Sequence, residues 1–348
     1  MISPEEGDNR PILLGFRLIM RSDNGMAKHP PQEQHAALLT TSGSRSLIHW
    51  GILKDIRRNP WLYIMLTPVL LYFTIFHYYP MYGALIAFKD FSPRLGIMGS
   101  PWVGWEHFES FFEGIYFWRV IKNTLLISFY ELLFGFPAPL ILALLLNEVR
   151  KTVFKRTVQT FTYMPHFISL VVVCGMIKEF TMSDGIINDL LALLGWERVS
   201  LLLESQYFRT IFVSSGIWQN IGWGTIIYLA ALAGIDQEQY EAAKMDGASR
   251  WKQMLHVTLP GIMPTIIILF ILEMGRVMNV GGEKIILLYN PSTYETADVI
   301  SSYVYRVGLQ EFDYSFSSAV GLFNSAINFM LVICSNWLSR KMNNTGLW

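Results

Sequence analysis

Six long apolar runs, separated by shorter polar passages, dominate the chain from residue 61 onward. They extend over roughly Trp61–Tyr79, Val120–Leu146, Val158–Phe180, Phe208–Ala233, Gly261–Val280 and Ala319–Leu338. Each is near the ~20 residues that a helix needs to cross a bilayer core. The pattern therefore predicts an all-α integral membrane protein with six transmembrane helices. Pro137 and Pro139 fall inside the second run, and backbone exposed to lipid cannot leave polar groups unpaired. These prolines should face protein or a cavity. Residues 1–50 read differently: Pro4, Pro11, Pro30, Pro31, Gly7, Gly25 and Gly43 interrupt them, and only Ile12–Met20, with Arg17 inside it, is apolar. That passage predicts a flexible N-terminal tail or a weak surface helix, with Met20 and Met26 as alternative starts. A secretory signal is not expected, because the first long apolar run begins beyond the usual ~15–30 residues.

Charge placement orients the runs. Lys54, Arg57 and Arg58 precede the first, and Arg150, Lys151, Lys155 and Arg156 fill the turn between the second and third. Lys244, Arg250 and Lys252 lie between the fourth and fifth, and Arg340 and Lys341 follow the sixth. The alternate loops are longer and poorer in such residues, with Lys89 and Arg94, then Arg198, then Lys284 and Arg306. Basic loops stay in the cytoplasm, so both termini and the 236–260 loop are expected there. Tyr78, Tyr79, Tyr82, Trp102, Trp105, Phe111, Phe112 and Trp118 cluster at the opposite interface; they read as an aromatic belt, or as a platform for a partner or a sugar ring.

Composition agrees with a membrane protein. Hydrophobic residues make up 52% of the 348 positions and charged residues 16%, against about a quarter charged in soluble domains. The formal net charge of zero gives no sign of nucleic-acid binding. Cys174 and Cys334 sit in apolar runs without disulfide or zinc spacing, which suits small buried thiols and no metal.

The 236–260 loop is the longest polar, helix-favouring passage. Asp236 suits an N-cap, with Gln239 completing a capping box and Ile235 stapling onto Tyr240. Helix formers follow from Gln237 to Met245, and Gly247 can end the helix in a left-handed conformation. A second helix is expected to restart near Ser249 and run toward Leu259, with Pro260 and Pro264 accompanying the next span. The result is two short helices meeting at a glycine corner.

Glu241-Ala242-Ala243, Asp246-Gly247-Ala248 and Leu259-Pro260 resemble the EAA motif of the permease subunits of ABC importers. Met254 and Val257 stand where that family commonly has Phe and Ile, and both remain apolar. Asn147-Glu148-Val149-Arg150, the Tyr163-Met164-Pro165-His166-Phe167-Ile168-Ser169 stretch, and the tail from Asp298 through Tyr305-Arg306-Val307-Gly308-Leu309 to Asn336 and Arg340-Lys341 are similar to the sugar-importer branch, in particular to oligosaccharide and polysaccharide permeases. The resemblance implies a type I ABC importer permease fold with a cytoplasmic coupling helix. It implies a first transmembrane helix and extracytoplasmic loop over 51–117, a core permease domain of five helices over 118–340 and a cytoplasmic tail over 341–348. It further implies that Glu241, Ala242, Ala243, Asp246, Gly247 and Ala248 contact a separate ATPase. Glu241 would be the charged contact, the alanines would allow close approach, Gly247 would form the corner, and Asp246 would be a turn residue or a contact. The implied partners are a second homologous permease forming a heterodimer, two ATPase subunits carrying ATP and Mg, and an extracytoplasmic solute-binding protein. The chain itself would be no enzyme, hold no cofactor and sit in a prokaryotic cell membrane.

Polar groups inside spans are costly and mark candidate sites. Gln219, Asn220, Glu273, Arg276, Asn279, Asn324 and Asn328 all fall in or beside predicted spans. Glu273 and Arg276 are spaced to pair on a helix, and Asn324 and Asn328 share a face suited to interhelical hydrogen bonding or cavity lining. Aromatic faces with amides suit a sugar, which makes Trp218, Asn220, Trp223 and Asn279 the substrate-path candidates. His166 has no second ligand at metal spacing and reads as a packing histidine. No phosphate loop, G-x-S-x-G elbow or H-E-x-x-H pair is present. The competing readings are a permease of this architecture for a non-sugar solute, and a stand-alone secondary transporter, for which no convincing internal repeat is visible.

Overall fold

Prolines and glycines decide how the apolar runs become helices. The computed structural model describes residues 55–343 and 346–347; the expected 1–50 tail, with its alternative starts, lies outside the described residues. The longer helices are α1 (Pro60–Phe88), α2 (Glu106–Glu113), α3 (Phe117–Glu148), α4 (Thr152–Phe167), α5 (Leu170–Thr181), α6 (Ile186–Leu193), α7 (Ser205–Ala233), α8 (Gln237–Met245), α9 (Arg250–Met274), α10 (Gly282–Leu288), α11 (Ile300–Tyr305) and α12 (Tyr314–Asn343). Single helical turns fill several connections. Among the described residues the only β pairing is an isolated bridge between Lys89 and Trp102.

The chain divides into two units, residues 1–71 and 72–348. In the first, the Asp55 carboxylate accepts from Asn59 Nδ2 at 3.0 Å and from Tyr63 Oη at 2.8 Å, which ties the helical turn at 55–58 to the start of α1. The second unit holds the remaining helices and the polar contacts described below.

Among the described residues four helical runs, α1, α3, α9 and α12, are long and apolar enough to cross a membrane, and a fifth appears if a bent pair is counted as one span. The expected third span, Val158–Phe180, is that bent pair: its halves meet at 101°. Pro165 sits in a 3₁₀ turn, Ile168 is extended, and Ser169 caps α5 by accepting from the Val172 N–H at 3.4 Å. The fourth expected span corresponds to α7. Its 29 residues reach about 43 Å, but Ser214, Ser215, Gln219 and Asn220 dilute its apolar character. The expected fifth span is displaced, because α9 begins at Arg250 and ends at Met274. Arg276 and Asn279 therefore lie on the turn after the helix rather than within it.

Three prolines inside long helices follow a wide π turn: Thr74–Tyr78 before Pro80, Glu131–Gly135 before Pro137, and Met254–Thr258 before Pro260. In each, the residue preceding proline donates its N–H five residues back: Tyr79 to Thr74, Phe136 to Glu131 and Leu259 to Met254. Proline lacks an N–H and its ring clashes with the carbonyl four residues earlier. The wider turn keeps the helix continuous past that defect. Pro139 behaves as expected and faces protein: its ring lies 2.9 Å from where a Cβ on Gly224 of α7 would stand, and its carbonyl accepts from Thr225 Oγ1 at 3.2 Å.

Interhelical amides tie α12 to the turn after α9. Asn324 Nδ2 donates to Asn279 Oδ1 at 2.5 Å, and Asn328 Oδ1 accepts from the Met278 N–H at 3.1 Å. Gly275 packs near Val332. These contacts step backwards along α12, so α9 and α12 run antiparallel. Phe111, expected in an interfacial belt, is instead buried with Val120, Ile300 and Val320, because α2 folds it inward. Cys174 is buried as expected, whereas Cys334 is exposed on α12.

A buried charge network joins α3, α7 and the segment before α11. Asp298 is wholly buried, and its carboxylate accepts from Arg306 at 2.7 and 3.2 Å, from Arg119 at 3.2 Å and from Ser302 Oγ at 2.8 Å. Asn123 Nδ2 donates to the carbonyls of Glu295 and Asp298 at 2.9 and 3.0 Å, and Thr124 Oγ1 accepts from the Ile300 N–H at 3.0 Å. Burial alone would pull the Arg306 pKa down, and the hydrogen bonds and charge of Asp298 more than reverse this. Removing one partner of a buried ion pair typically costs about 3–5 kcal/mol. Asp298→Asn should therefore lower the thermal unfolding midpoint in detergent clearly, and Asp298→Asn combined with Arg306→Gln should restore part of the loss. An unchanged midpoint for the single variant would show that the network contributes nothing.

Candidate functional site

The 236–260 loop folds as two helical segments around Gly247. Asp236 caps α8 by accepting from the Glu238 N–H at 3.0 Å. The capping box expected with Gln239 does not form; the Gln239 N–H instead reaches the Asp236 carbonyl at 3.3 Å. Ile235 is buried and Tyr240 packs on the same apolar cluster, with its hydroxyl 2.9 Å from Thr258 Oγ1. At the far end the Gly247 N–H donates to Lys244 O at 3.0 Å and the Ala248 N–H to Ala243 O at 2.9 Å. This pair of bonds is the Schellman closure, which needs a left-handed residue, and Gly247 has φ of +73°. No other atom lies within 4 Å of where its Cβ would be, so the requirement is conformation and not space.

After Gly247, Ser249 accepts from the Lys252 N–H at 3.5 Å and α9 begins. The second segment is therefore continuous with a membrane-length helix, through the π turn before Pro260. Only the short corner at Gly247 separates α8 from α9. No residue of α8 is buried. Glu241, Ala242 and Asp246 face solvent, and Ala243 and Ala248 are half-buried. Met245 is 88% exposed and Trp251 66%. These two large apolar groups extend the surface beyond the residues singled out from sequence; their absence from the apolar runs hid them. Arg250 pairs with Glu148 at 3.6 Å, which seats the far end of α3 beside the loop.

A second cluster forms where α4 breaks. Trp223 stacks on His166 with centroids 4.5 Å apart and planes 6° from parallel, and Phe167 meets Trp223 edge-on at 5.8 Å. His166 Nδ1 lies 3.1 Å from Asn220 Oδ1. Gly222 makes the approach possible: a Cβ there would stand 2.1 Å from the Thr162 carbonyl oxygen. Asn220 and Trp223 thus come together, with His166 and Phe167 added. The packing role expected of His166 is present, but it packs within this polar and aromatic patch. The Pro165 and Ser169 punctuation was the signal that could have placed it there.

Trp218 and Asn279 lie elsewhere. A helix turns 100° per residue, which puts Trp218 on a different face of α7 from Asn220 and Trp223. It borders a largely apolar cavity of about 760 Å³ with Phe180, Leu191, Trp196 and Tyr207. Asn279 lines a polar cavity of about 210 Å³ with Glu131, Glu273 and Arg276. Among the described residues no ion pair joins Glu273 to Arg276; the Arg276 N–H bonds the Glu273 carbonyl at 2.9 Å.

Residues 135–344 match the family described as binding-protein-dependent transport system inner membrane component. The chain is 47% identical over 319 residues to protein LplB of Bacillus subtilis (strain 168), spanning 91% of this chain and 99% of that protein. It is 44% identical over 292 residues to the polygalacturonan/rhamnogalacturonan transport system permease protein YteP of the same organism, spanning 84% and 91% of the two chains. The fold superimposes with a TM-score of 0.79 on a chain of a bacterial ABC transporter involved in the import of the acidic polysaccharide alginate, 45% identical and spanning 84% of this chain and 99% of that one. A bacterial alginate ABC transporter in complex with an alginate pentasaccharide-bound periplasmic protein matches equally, with 44% identity.

Gly222→Ala tests the geometry of the aromatic cluster. The obstruction is main chain rather than a flexible side-chain end, so α4 and α7 must separate, at about 1–3 kcal/mol. The variant should be less stable in detergent and show altered tryptophan emission as Trp223 leaves His166. Wild-type stability and emission would mean the contact is looser than described.

Proposed function

Because the chain belongs to the family of binding-protein-dependent transport system inner membrane components, we propose that it is the permease subunit of an ABC importer for an oligosaccharide or polysaccharide fragment. It is a transport subunit, and ATP hydrolysis belongs to a separate one. The names of YteP and of the alginate transporter support the carbohydrate class, and the periplasmic protein in the alginate complex supports delivery by an extracytoplasmic binding protein.

The observation that carries the mechanism is α8: a helix with no buried residue, ended by a left-handed glycine and feeding directly into a membrane-length helix. In our reading six spans cross a prokaryotic cell membrane, with α4–α5 as a broken span and α7 as a span with a polar stripe. Both termini and α8 are cytoplasmic, in line with the basic residues at 150–156, 250–252 and 340–341. Glu241, Ala242, Ala243, Asp246, Gly247 and Ala248 meet one of two ATPase subunits, which hold the ATP and Mg. A second, homologous permease supplies the other half of the path. Trp218, Asn220, Trp223 and Asn279 line this half, and the stacked indole and paired amide offer a sugar ring an apolar face and hydrogen-bonding edges.

The test substitutes Gly247 in the assembled transporter. Valine is strained at positive φ by roughly 1–2 kcal/mol, whereas asparagine visits this region routinely. Gly247→Val should reach the membrane in normal amount yet lose about tenfold or more of ATP-driven uptake, and Gly247→Asn should retain most of it. Normal uptake by the valine variant would contradict the coupling role.

A further inference from the structure

The turn from α3 into α4 carries positive charge that the chain leaves unanswered. Arg150, Lys151, Lys155 and Arg156 fall within seven residues, and no carboxylate occurs between Glu148 and Glu179. Glu148 itself is paired with Arg250. Arg150, Lys151 and Arg156 are exposed and Lys155 is half-buried. Among the described residues none of the four makes an ion pair or a side-chain hydrogen bond.

Retention of a basic loop on the cytoplasmic side requires the charges but nothing in particular beside them. Here an apolar stripe rises from them. Val153, Thr157, Phe161 and Met164 are spaced by four, four and three residues, so they share one face of α4, and Phe154 flanks it. Val153 is 79% exposed, Phe154 57%, Phe161 68% and Met164 56%. The other side of the helix is seated on α7, where the Thr162 carbonyl and the Tyr163 ring meet Gly222. Thr157 and Thr160 donate their hydroxyls to the Val153 and Arg156 carbonyls, each at 3.0 Å, so these side chains satisfy their polarity within the helix. That is what a hydrocarbon surround requires.

From Val153 to Met164 the stripe rises about 16 Å, roughly half of the ~30 Å hydrocarbon core and hence the depth of one leaflet. Unpaired cations followed by one leaflet's depth of exposed apolar surface reproduce, in order, the anionic head and the chain of a phospholipid. A subunit docked on the cytoplasmic surface could meet the charges but not the stripe above them.

We propose that the foot of α4 holds an anionic phospholipid, with its phosphate at Arg150, Lys151 and Arg156 and one acyl chain along Val153, Phe161 and Met164. This site is additional to the coupling and path residues, and it stands whichever solute is carried. Through the Glu148–Arg250 pair it adjoins the α8 corner.

The test uses the complete transporter in detergent, titrated with dioleoyl phosphatidylglycerol or dioleoyl phosphatidylcholine, with bound lipid counted by native mass spectrometry. Wild type should hold phosphatidylglycerol on the order of tenfold more tightly than phosphatidylcholine. Each cation near an anionic headgroup contributes about fivefold, so Lys151→Gln combined with Arg156→Gln should weaken phosphatidylglycerol retention by roughly twentyfold and leave phosphatidylcholine unchanged. Lys151→Arg combined with Arg156→Lys keeps both charges and should retain the lipid. Phe161→Ser keeps every cation but interrupts the stripe, and should loosen phosphatidylglycerol about tenfold. Equal retention of the two lipids by wild type, or a glutamine variant that binds like wild type, would overturn the proposal. So would unchanged binding by the Phe161 variant, which would reduce the effect to diffuse attraction between charges. A glutamine variant that sheds the ATPase while keeping its lipid would assign these cations to the ATPase contact instead and overturn it as well.

Discussion

Inside a bilayer, a main-chain N–H or C=O has no water to turn to, and that constraint shapes this chain more than any single contact. It explains why prolines 80, 137 and 260 each follow a π turn, with the preceding residue bonded five positions back. It explains too why the non-helical stretches sit against protein. The break at 164–169 lies against α7, where Gly222 admits the Thr162 carbonyl, and the turn after α9 is held by Asn324 and Asn328. Irregular backbone is tolerated where other helices cover it. Those covered irregularities are also where the aromatic and amide groups gather.

Charges obey the same accounting. Asp298 would be intolerable alone in an apolar interior, yet with Arg306, Arg119 and Ser302 it links the segment before α11 to α3. Its neighbour Asn123 extends the link to α7 through Arg209. The bundle thus has a polar clamp at one end and the exposed α8 corner at the other, joined by long helices that change direction only at defined turns. α9 runs from that corner to the turn that carries Arg276 and Asn279.

Much of this was legible in the residues. The apolar runs located the helices, Asp236 and Gly247 gave the limits of α8, and Asn324 with Asn328 marked a shared polar face open to interhelical bonding or cavity lining, of which the bonding formed. Sequence pattern failed where three-dimensional proximity decides. Pro165 marked a possible break, but not a 101° bend. Gln239 fitted a capping box by spacing, while the local geometry let Asp236 satisfy Glu238 instead. Arg276 and Asn279 looked like span residues because the apolar run continues past Met274, where the helix ends. Trp218 shares a helix with Trp223 but not a face. Met245 and Trp251 could not be seen as a surface until the loop was folded, and Asp298 could not be recognised as a hub before Arg119, 179 positions away, was brought to it beside Arg306.

The central claim is that α8 receives the work of ATP hydrolysis done elsewhere. Its most direct test is site-specific cross-linking in the assembled transporter, with Met245→Cys on a background in which Cys174 and Cys334 are replaced. Met245 is 88% exposed and lies one turn from Glu241, so its thiol is available without disturbing the packing. The account predicts a cross-link to a matching cysteine on the ATPase, with a yield that changes when ATP is bound. A cross-link confined to another membrane subunit, or one indifferent to nucleotide, would contradict it.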